Sequence, residues 1–334
     1  MCPTIETPRR ILFLTTQQPH TIRAEWPYYQ NYDLPILLKE KGALVALKSW
    51  LDEDILTALH QYDVVTFLWC REYYTHPEAF FSFVDKLDHL VQTAPYTPHI
   101  VPPRIINHAR LVRWNADKRY LPDLKQEGFV IPKTRLVDPQ KYTVAELQAL
   151  VQNFHPSGSV VLKPSMSASS TLTRRITDTS ALSADDVTFL ELCTGGGLQS
   201  SLLIQEFEPA ISTEEYSFVF VGPHLTHVML KSPPRGDFRV QDEYGGSAKV
   251  TDLLGIKLET LQVVQAVFES LQRRFGPKAT DEVSYGEIGY VRIDGLITDD
   301  RPFVLTGIKA IEPHLWLEMG KGISRMLPLL LGSS

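Results

Sequence analysis

Lys163 closes the apolar run 159–163 (SVVLK), and Pro164 and a loop of small residues, 165–173, follow it. A lysine at the end of a buried strand can reach a phosphate or a purine N7. Small residues such as Ser167 let backbone amides approach phosphate oxygens, as glycines do in other phosphate loops. A surface lysine beside an ordinary polar loop fits the same residues. Further on, Gln205, Glu206 and Phe207 open a segment, 205–209, expected between two strands. It can offer backbone donors and acceptors to adenine, with Phe207 packed nearby. Glu215 follows at a spacing that can reach a ribose hydroxyl. Taken alone, an ordinary connector with solvated carboxylates is the simpler reading.

Lys231, Arg235 and Arg239 place three cations within nine residues. Arginine suits bidentate contact with carboxylate or phosphate, and an acyl-phosphate intermediate needs clamps of that kind. A solvated basic loop is the alternative. Arg292 and Asp294 stand two apart in an apolar strand, IGYVRIDG, so both point to one face. Charges in such a strand are unfavourable unless paired or bound to a metal. Mg2+ prefers oxygen ligands and bridges substrate phosphates, which makes Asp294 a candidate ligand. Glu312, after the next strand, can supply a second carboxylate. A structural Arg292–Asp294 pair is the competing reading.

These side chains need a scaffold. The run 11–14 (ILFL) reads as a buried parallel strand. Helical residues 34–42, a strand at 43–47, a helical stretch near 52–60, a strand at 62–69 and a helix over 77–92 follow. That alternation predicts an open parallel α/β sheet. Prolines make 93–103 a connector, and a helical segment is expected over 112–126. A middle lobe then carries strands at 159–163, 174–177 and 201–205. A last lobe carries strands at 216–221, 226–231, 287–294 and 303–308, with a long helix near 258–275.

The chain has 334 residues, too many for one simple core. Its net charge of −6 gives no footprint for nucleic acid or an anionic membrane. The apolar segment 326–332 is far below the roughly 20 residues of a membrane span. Cys2, Cys70 and Cys193 are widely spaced and form no disulfide framework. They fit a reducing compartment, and a cytoplasmic location is expected.

Taken in order, LVRWNADKRYLPDL (111–124), VVLKPSMSAS (160–169), LIQEF (203–207), EEYSFVFV (214–221), HVMLKSPPRGDFRVQDEYGG (227–246), YVRID (290–294) and IEPHLWL (311–317) resemble the ATP-grasp superfamily. The nearest branch holds the D-cycloserine cyclo-ligase and the glutathione synthetase ATP-binding-domain-like proteins. The resemblance implies an α/β fold with a parallel pre-ATP-grasp lobe (1–108), a central lobe (109–204) and a C-terminal lobe (205–334). It implies ATP and Mg2+ as cofactors, and a small-molecule carboxylate and an amine-type nucleophile as partners. A homodimer is compatible with it. Lys118 and Lys163 resemble the two ATP lysines. Gln205, Glu206 and Phe207 resemble the adenine hinge, and Glu215 the ribose-binding acid. Lys231 and Arg239 resemble the phosphate and acyl-phosphate clamps, Arg292 joins the catalytic cations, and Asp294 resembles the first metal ligand.

The implied activity is ATP-dependent carboxylate ligation through an acyl phosphate. A nucleotide-binding protein without ligase activity and a phosphotransferase are the alternatives. Two departures bear on the choice. ATP-grasp enzymes usually carry E-x-E or E-x-N on the last strand, where this chain has Gly307 and Lys309. Either the metal set is rebuilt from Asp294 and Glu312, or Lys309 replaces one cation, or catalysis is lost. In addition, Trp69-Cys70-Arg71-Glu72-Tyr73 stands where the relatives tend to have W-D-Y.

Overall fold

The computed structural model describes residues 7–15, 34–93, 102–241, 244–277 and 288–332. Cys2, Glu287 and most of the expected 93–103 connector lie outside them.

The first sheet is parallel throughout. Its strands are β1 (Arg10–Thr15), β2 (Leu44–Ser49), β3 (Val64–Thr66) and β4 (Arg104–Ile106), in the order β2-β1-β3-β4. Helices α1 (Leu34–Glu40), α2 (Ile55–Ala58) and α3 (Pro77–Thr93) run between them. Apolar side chains leave both faces of β1. Ile11 and Phe13 enter one core, and Leu12 and Leu14 enter another. That two-sided burial explains the unbroken apolar run.

The helix expected over 112–126 is two helices, α4 (Ala109–Ala116) and α5 (Tyr120–Gln126). Asp117 is extended, and the Lys118 N–H donates to the Ser165 carbonyl at 2.9 Å. The break turns Lys118 out of the helix and toward the 165–173 loop.

The second sheet joins β5 (Thr134–Val137), β6 (Val160–Pro164), β7 (Arg174–Ile176) and β8 (Leu202–Glu206) in the antiparallel order β5-β8-β6-β7. Helices α6 (Val144–Phe154) and α7 (Ala184–Thr194) cover one face. Val160, Leu162, Leu202 and Ile204 pack against them. The alternate residues Val161, Lys163 and Gln205 face a cavity, as the period of a strand requires. Both helices start with a full capping box, Thr143 with Glu146 and Ser183 with Asp186. The 204/205 lobe boundary falls inside β8.

The third sheet is antiparallel, ordered β11-β10-β9-β12-β13. Its strands are β9 (Glu215–Val221), β10 (His224–Ser232), β11 (Ser247–Thr251), β12 (Tyr290–Leu296) and β13 (Val304–Lys309). Phe218, Phe220, Val291, Ile293 and Ile308 pack on helix α8 (Leu258–Phe275), where the Phe220 and Phe268 rings stack at 4.3 Å. Arg292, Asp294, Gly307 and Lys309, which alternate with them on β12 and β13, line the cavity, whereas Val219 and Val221 on β9 enter a second core. The apolar 326–332 segment lies in and just beyond helix α9 (Gly322–Leu331), which runs through Pro328. Among the described residues no helix is long and apolar enough to cross a membrane.

Four side chains tie these parts together. The Asn107 amide donates to the carbonyls of Tyr290 (2.7 Å) and Ala310 (2.9 Å) and accepts from the N–H groups of Gly289 (2.8 Å) and Tyr290 (3.3 Å). His108 caps α4 and contacts the Phe275 carbonyl at 2.7 Å. The Asn115 amide donates to the Ile308 carbonyl and accepts from the Ala310 N–H just past β13, and the Tyr120 hydroxyl donates to the Ile308 carbonyl and accepts from the Ile308 N–H.

Candidate active site

The cavity faces of the second and third sheets enclose a space of about 230 Å3, lined by every candidate ATP, clamp and metal residue named from the sequence except Arg235. At one end, the Lys163 ammonium donates to Gln205 Oε1 at 2.9 Å, and the Gln205 amide donates to Thr134 Oγ1 at 2.8 Å. Both side chains leave the same face of neighbouring strands. Phe207 lies beyond them, with the Arg175 guanidinium 3.5 Å from its ring centroid and Phe238 edge-on at 6.0 Å. Phe207 and Phe238 give this end of the cavity flat apolar surface suited to a planar base, and Arg175 covers one face of Phe207.

The hinge differs from its expected form. Gln205 and Glu206 lie inside β8, not between strands. The N–H groups of Glu206 and Phe207 bond the carbonyls of Lys133 and Ser159, each at 2.9 Å. They are therefore closed to a base. The Glu208 N–H makes no hydrogen bond among the described residues. Arg301 holds the Glu208 carboxylate in a bidentate pair at 2.9 and 2.8 Å, which fixes this turn.

Lys118 and the small-residue loop form one unit. The Lys118 ammonium donates to the Ser167 carbonyl (2.8 Å), the Ser167 hydroxyl (2.9 Å) and the Ser165 carbonyl (3.3 Å). In the same loop Ser169, Ser170 and Leu172 have φ of 47°, 55° and 52°. Left-handed non-glycine residues are rare and mildly strained. The Tyr244 hydroxyl donates to the Ser169 carbonyl at 3.2 Å.

On the third sheet the polar residues form a cross-strand ladder. Lys231 on β10 faces Glu215 on β9, and their charged atoms are 2.5 Å apart. Glu215 also accepts from Thr306 Oγ1 at 2.6 Å. Ser217 faces Asp294 and donates to it at 2.6 Å. Arg292 grips both oxygens of Asp294 at 2.9 Å, and Lys231 stands 3.7 Å away. Burial alone would raise the Asp294 carboxyl, but Arg292, Lys231 and Ser217 outweigh it and hold the group well below the usual carboxylate range.

Of the two sequence readings of Arg292 and Asp294, the geometry displays the ion pair. Across from Asp294 stands Gly307, and across from Arg292 stands Lys309. Glu312 lines the cavity, and its charge, after burial, pushes the Cys70 and Tyr73 groups up. Among the described residues no group of three His, Cys, Asp or Glu side chains could hold a metal ion. Asp294 is committed to two cations, and Lys309 adds a third charge of the same sign. This donor set does not fit the Mg2+ pair that the resemblance implies.

Arg239 is engaged as well. It makes a bidentate pair with Asp237, its shortest contact 2.7 Å, and its guanidinium lies 3.8 Å from the Tyr244 ring centroid. Trp69 and Cys70 are buried in the cores around the first sheet, and Tyr73 reaches the cavity wall. Cys70 and Cys193 are free thiols.

Three antiparallel or parallel sheets, this strand order and this cleft match known structures along nearly the whole chain. A D-cycloserine synthetase superposes with a TM-score of 0.72 at 19% identity, covering 97% of this chain and 99% of that one. A D-alanine–D-alanine ligase from Bacillus anthracis, complexed with ATP, gives 0.60 at 12% identity, covering 97% and 96%. A RimK domain ATP-grasp protein from Sphaerobacter thermophilus gives 0.56 at 14%, covering 96% and 97%. The chain has the ATP-grasp fold. No family model matches the sequence, and no curated protein matches it by sequence. The ATP-grasp cleft therefore has to be interpreted from its own side chains.

Several of those were invisible in the sequence. Tyr120, Ser217 and Phe238 lie inside the family-like segments but carry no expected role there, and Thr306 and Arg301 lie outside every such segment. Only the strand period of β9 and β12 pointed to Ser217.

The lysines of the ATP-grasp cleft give a pH prediction. Burial, then the nearby Lys309 charge, lowers the Lys163 ammonium from its ordinary 10.5 to about 8. Above that pH the folded protein loses a cation, so affinity for a phosphate-bearing ligand should fall as pH rises from 7 to 9. The ligand-free fold should move the other way. The unfolded chain binds more protons between about 8 and 10.5, so stability rises with pH there. Calorimetric titrations and melting curves across this range check both, and Lys163→Met should flatten both trends.

Proposed function

We propose that the chain binds ATP in this cleft and uses it to activate a carboxylate for attack by an amine-type nucleophile. The observation that carries the reading is the convergence of Lys118, Lys163, Lys231, Arg239 and Arg292 on one cavity, beside the flat apolar surface at Phe207. Those cations suit a polyphosphate, and the flat surface suits its base. The likeness of fold to a D-cycloserine synthetase and to a D-alanine–D-alanine ligase complexed with ATP supports the choice of reaction class.

In this reading the carboxylate oxygen attacks the γ-phosphorus, ADP leaves, and an acyl phosphate forms. The nucleophile then adds to the acyl carbon, loses its proton, and phosphate departs with the bridging oxygen. The transferred group is already activated, so the protein's part is positioning and charge neutralisation. Lys163 and Lys118 hold the phosphate chain, Phe207 and the Glu208 N–H receive the base, and Glu215 receives the ribose. Arg239 exchanges its Asp237 partner for the acyl phosphate. No step is assigned to a metal ion.

A second reading, nucleotide binding without ligation, is favoured by Gly307 and Lys309. Release of ADP and phosphate, measured over a panel of small carboxylic acids with amines, separates the two. Coupled ADP release with a new amide product supports ligation. ATP binding without any turnover supports the second reading. Absence of ATP binding refutes both.

A further inference from the structure

We propose that Lys309 does the work of a metal ion here: the cleft binds a nucleoside triphosphate through its own cations and needs no divalent cation to do so. The inference rests on the nucleotide reading above and makes it specific. Arg292 and Lys309 are directly opposed on β12 and β13, and both line the cavity. Like charges directly opposed across a strand pair destabilise a sheet. Asp294 grips Arg292 directly, whereas Lys309, on which the charges of Asp294, Glu312 and Glu215 act from further off, makes no hydrogen bond and no ion pair within 4.0 Å among the described residues. A half-buried cation in that state is a receptor for an anion.

Two further ammonium groups converge from other elements. Lys118 comes from the α4–α5 junction and Lys163 from β6, and the Lys309 charge acts on both, after burial, to push them below their ordinary range. Three mutually repelling lysines become favourable together when one polyvalent anion joins them. A triphosphate chain supplies that charge. The carboxylate that would recruit a metal is missing for no steric reason. A Cβ built on Gly307 would meet only the Tyr120 hydroxyl, at 3.7 Å, an ordinary contact. The backbone at 307 leaves room for a side chain to begin and carries none.

The test is calorimetric titration of the full chain with the β,γ-methylene analogue of ATP, once in excess EDTA and once in Mg2+. The two affinities should agree to within about threefold. Lys309→Met should weaken binding in EDTA by about tenfold or more. The double variant Gly307→Glu with Lys309→Glu should bind weakly in EDTA and regain affinity in Mg2+. Melting curves establish that each variant is folded, and the Met variant carries the test if the double one is not. If the natural chain binds the analogue and Mg2+ strengthens that binding more than about tenfold, the inference fails while the nucleotide reading stands. If Lys309→Met binds as tightly as the natural chain in EDTA, the inference also fails. If nothing binds in either condition, both fall.

Discussion

Arg239→Ala should lower ligation turnover by about a hundredfold or more, while affinity for the ATP analogue changes only a few-fold. The split follows from where the guanidinium stands. It lies at the cavity wall, held by Asp237 and stacked on Tyr244, and it shares no hydrogen bond with Lys118, Lys163 or Gln205. Its bidentate fork matches an acyl phosphate better than a ground-state carboxylate. A contact made mainly in the transition state changes turnover more than binding. The Asp237 carboxyl is held down at about 2, first by its bond to Arg239. The pair therefore stays ionised at every physiological pH, and only a competing anion can separate it. Asp237→Asn should in consequence keep most of the turnover. The measurement is ADP release with a proven carboxylate and nucleophile. An Arg239→Ala variant that keeps near-normal turnover assigns the clamp to another residue.

The largest loss of stability should come from Asn107→Leu. This amide is fully buried and makes four hydrogen bonds to the backbone of 289, 290 and 310. Leucine has a similar size but leaves those buried donors and acceptors without their partner. At about 1–3 kcal/mol for a buried polar group left unsatisfied, the loss should reach about 3 kcal/mol or more. That is a large share of the about 5–15 kcal/mol that holds a typical domain together. Urea denaturation measures it directly. Asn107→Asp keeps the two accepted bonds and loses the two donated ones. A loss under about 1 kcal/mol for Asn107→Leu would show that this junction contributes little.

Those two residues mark the limits of sequence reading. Arg239 stood in a run of cations and could be found. Asn107 sits beside a short strand with no motif around it, and its value comes entirely from segments some 180 to 200 positions away. The parallel sheet was legible because β1 is apolar on both faces. The lining of the third sheet was legible in Arg292 and Asp294 because the strand period sends both one way. What their charges would do was not legible. The choice between a metal ligand and an ion pair depends on Lys231 and Ser217, which arrive from other strands. The break at Asp117 was hidden for a similar reason, since the Ser165 carbonyl that stabilises it is distant in sequence. The strand runs one residue further than its sequence suggests because β8 is paired as far as Gln205 on one edge and Glu206 on the other, and pairing leaves no local signature. The capping boxes of α6 and α7, Thr143 with Glu146 and Ser183 with Asp186, are local and legible in sequence.

The hold on β13 has a consequence for how such a chain changes over time. Asn107, Asn115 and Tyr120 grip the backbone at Ile308 and Ala310. The positions between and before these grips, 309 and 307, hang free over the cleft. Cellular quality control senses exposure and unfolding, and substitutions at those two positions leave the three grips in place. Chemistry at this strand can therefore drift from one kind of nucleotide handling to another while the backbone that carries it stays anchored. The strand behaves as a socket: the fold guarantees its shape and leaves open the charge that is plugged into it.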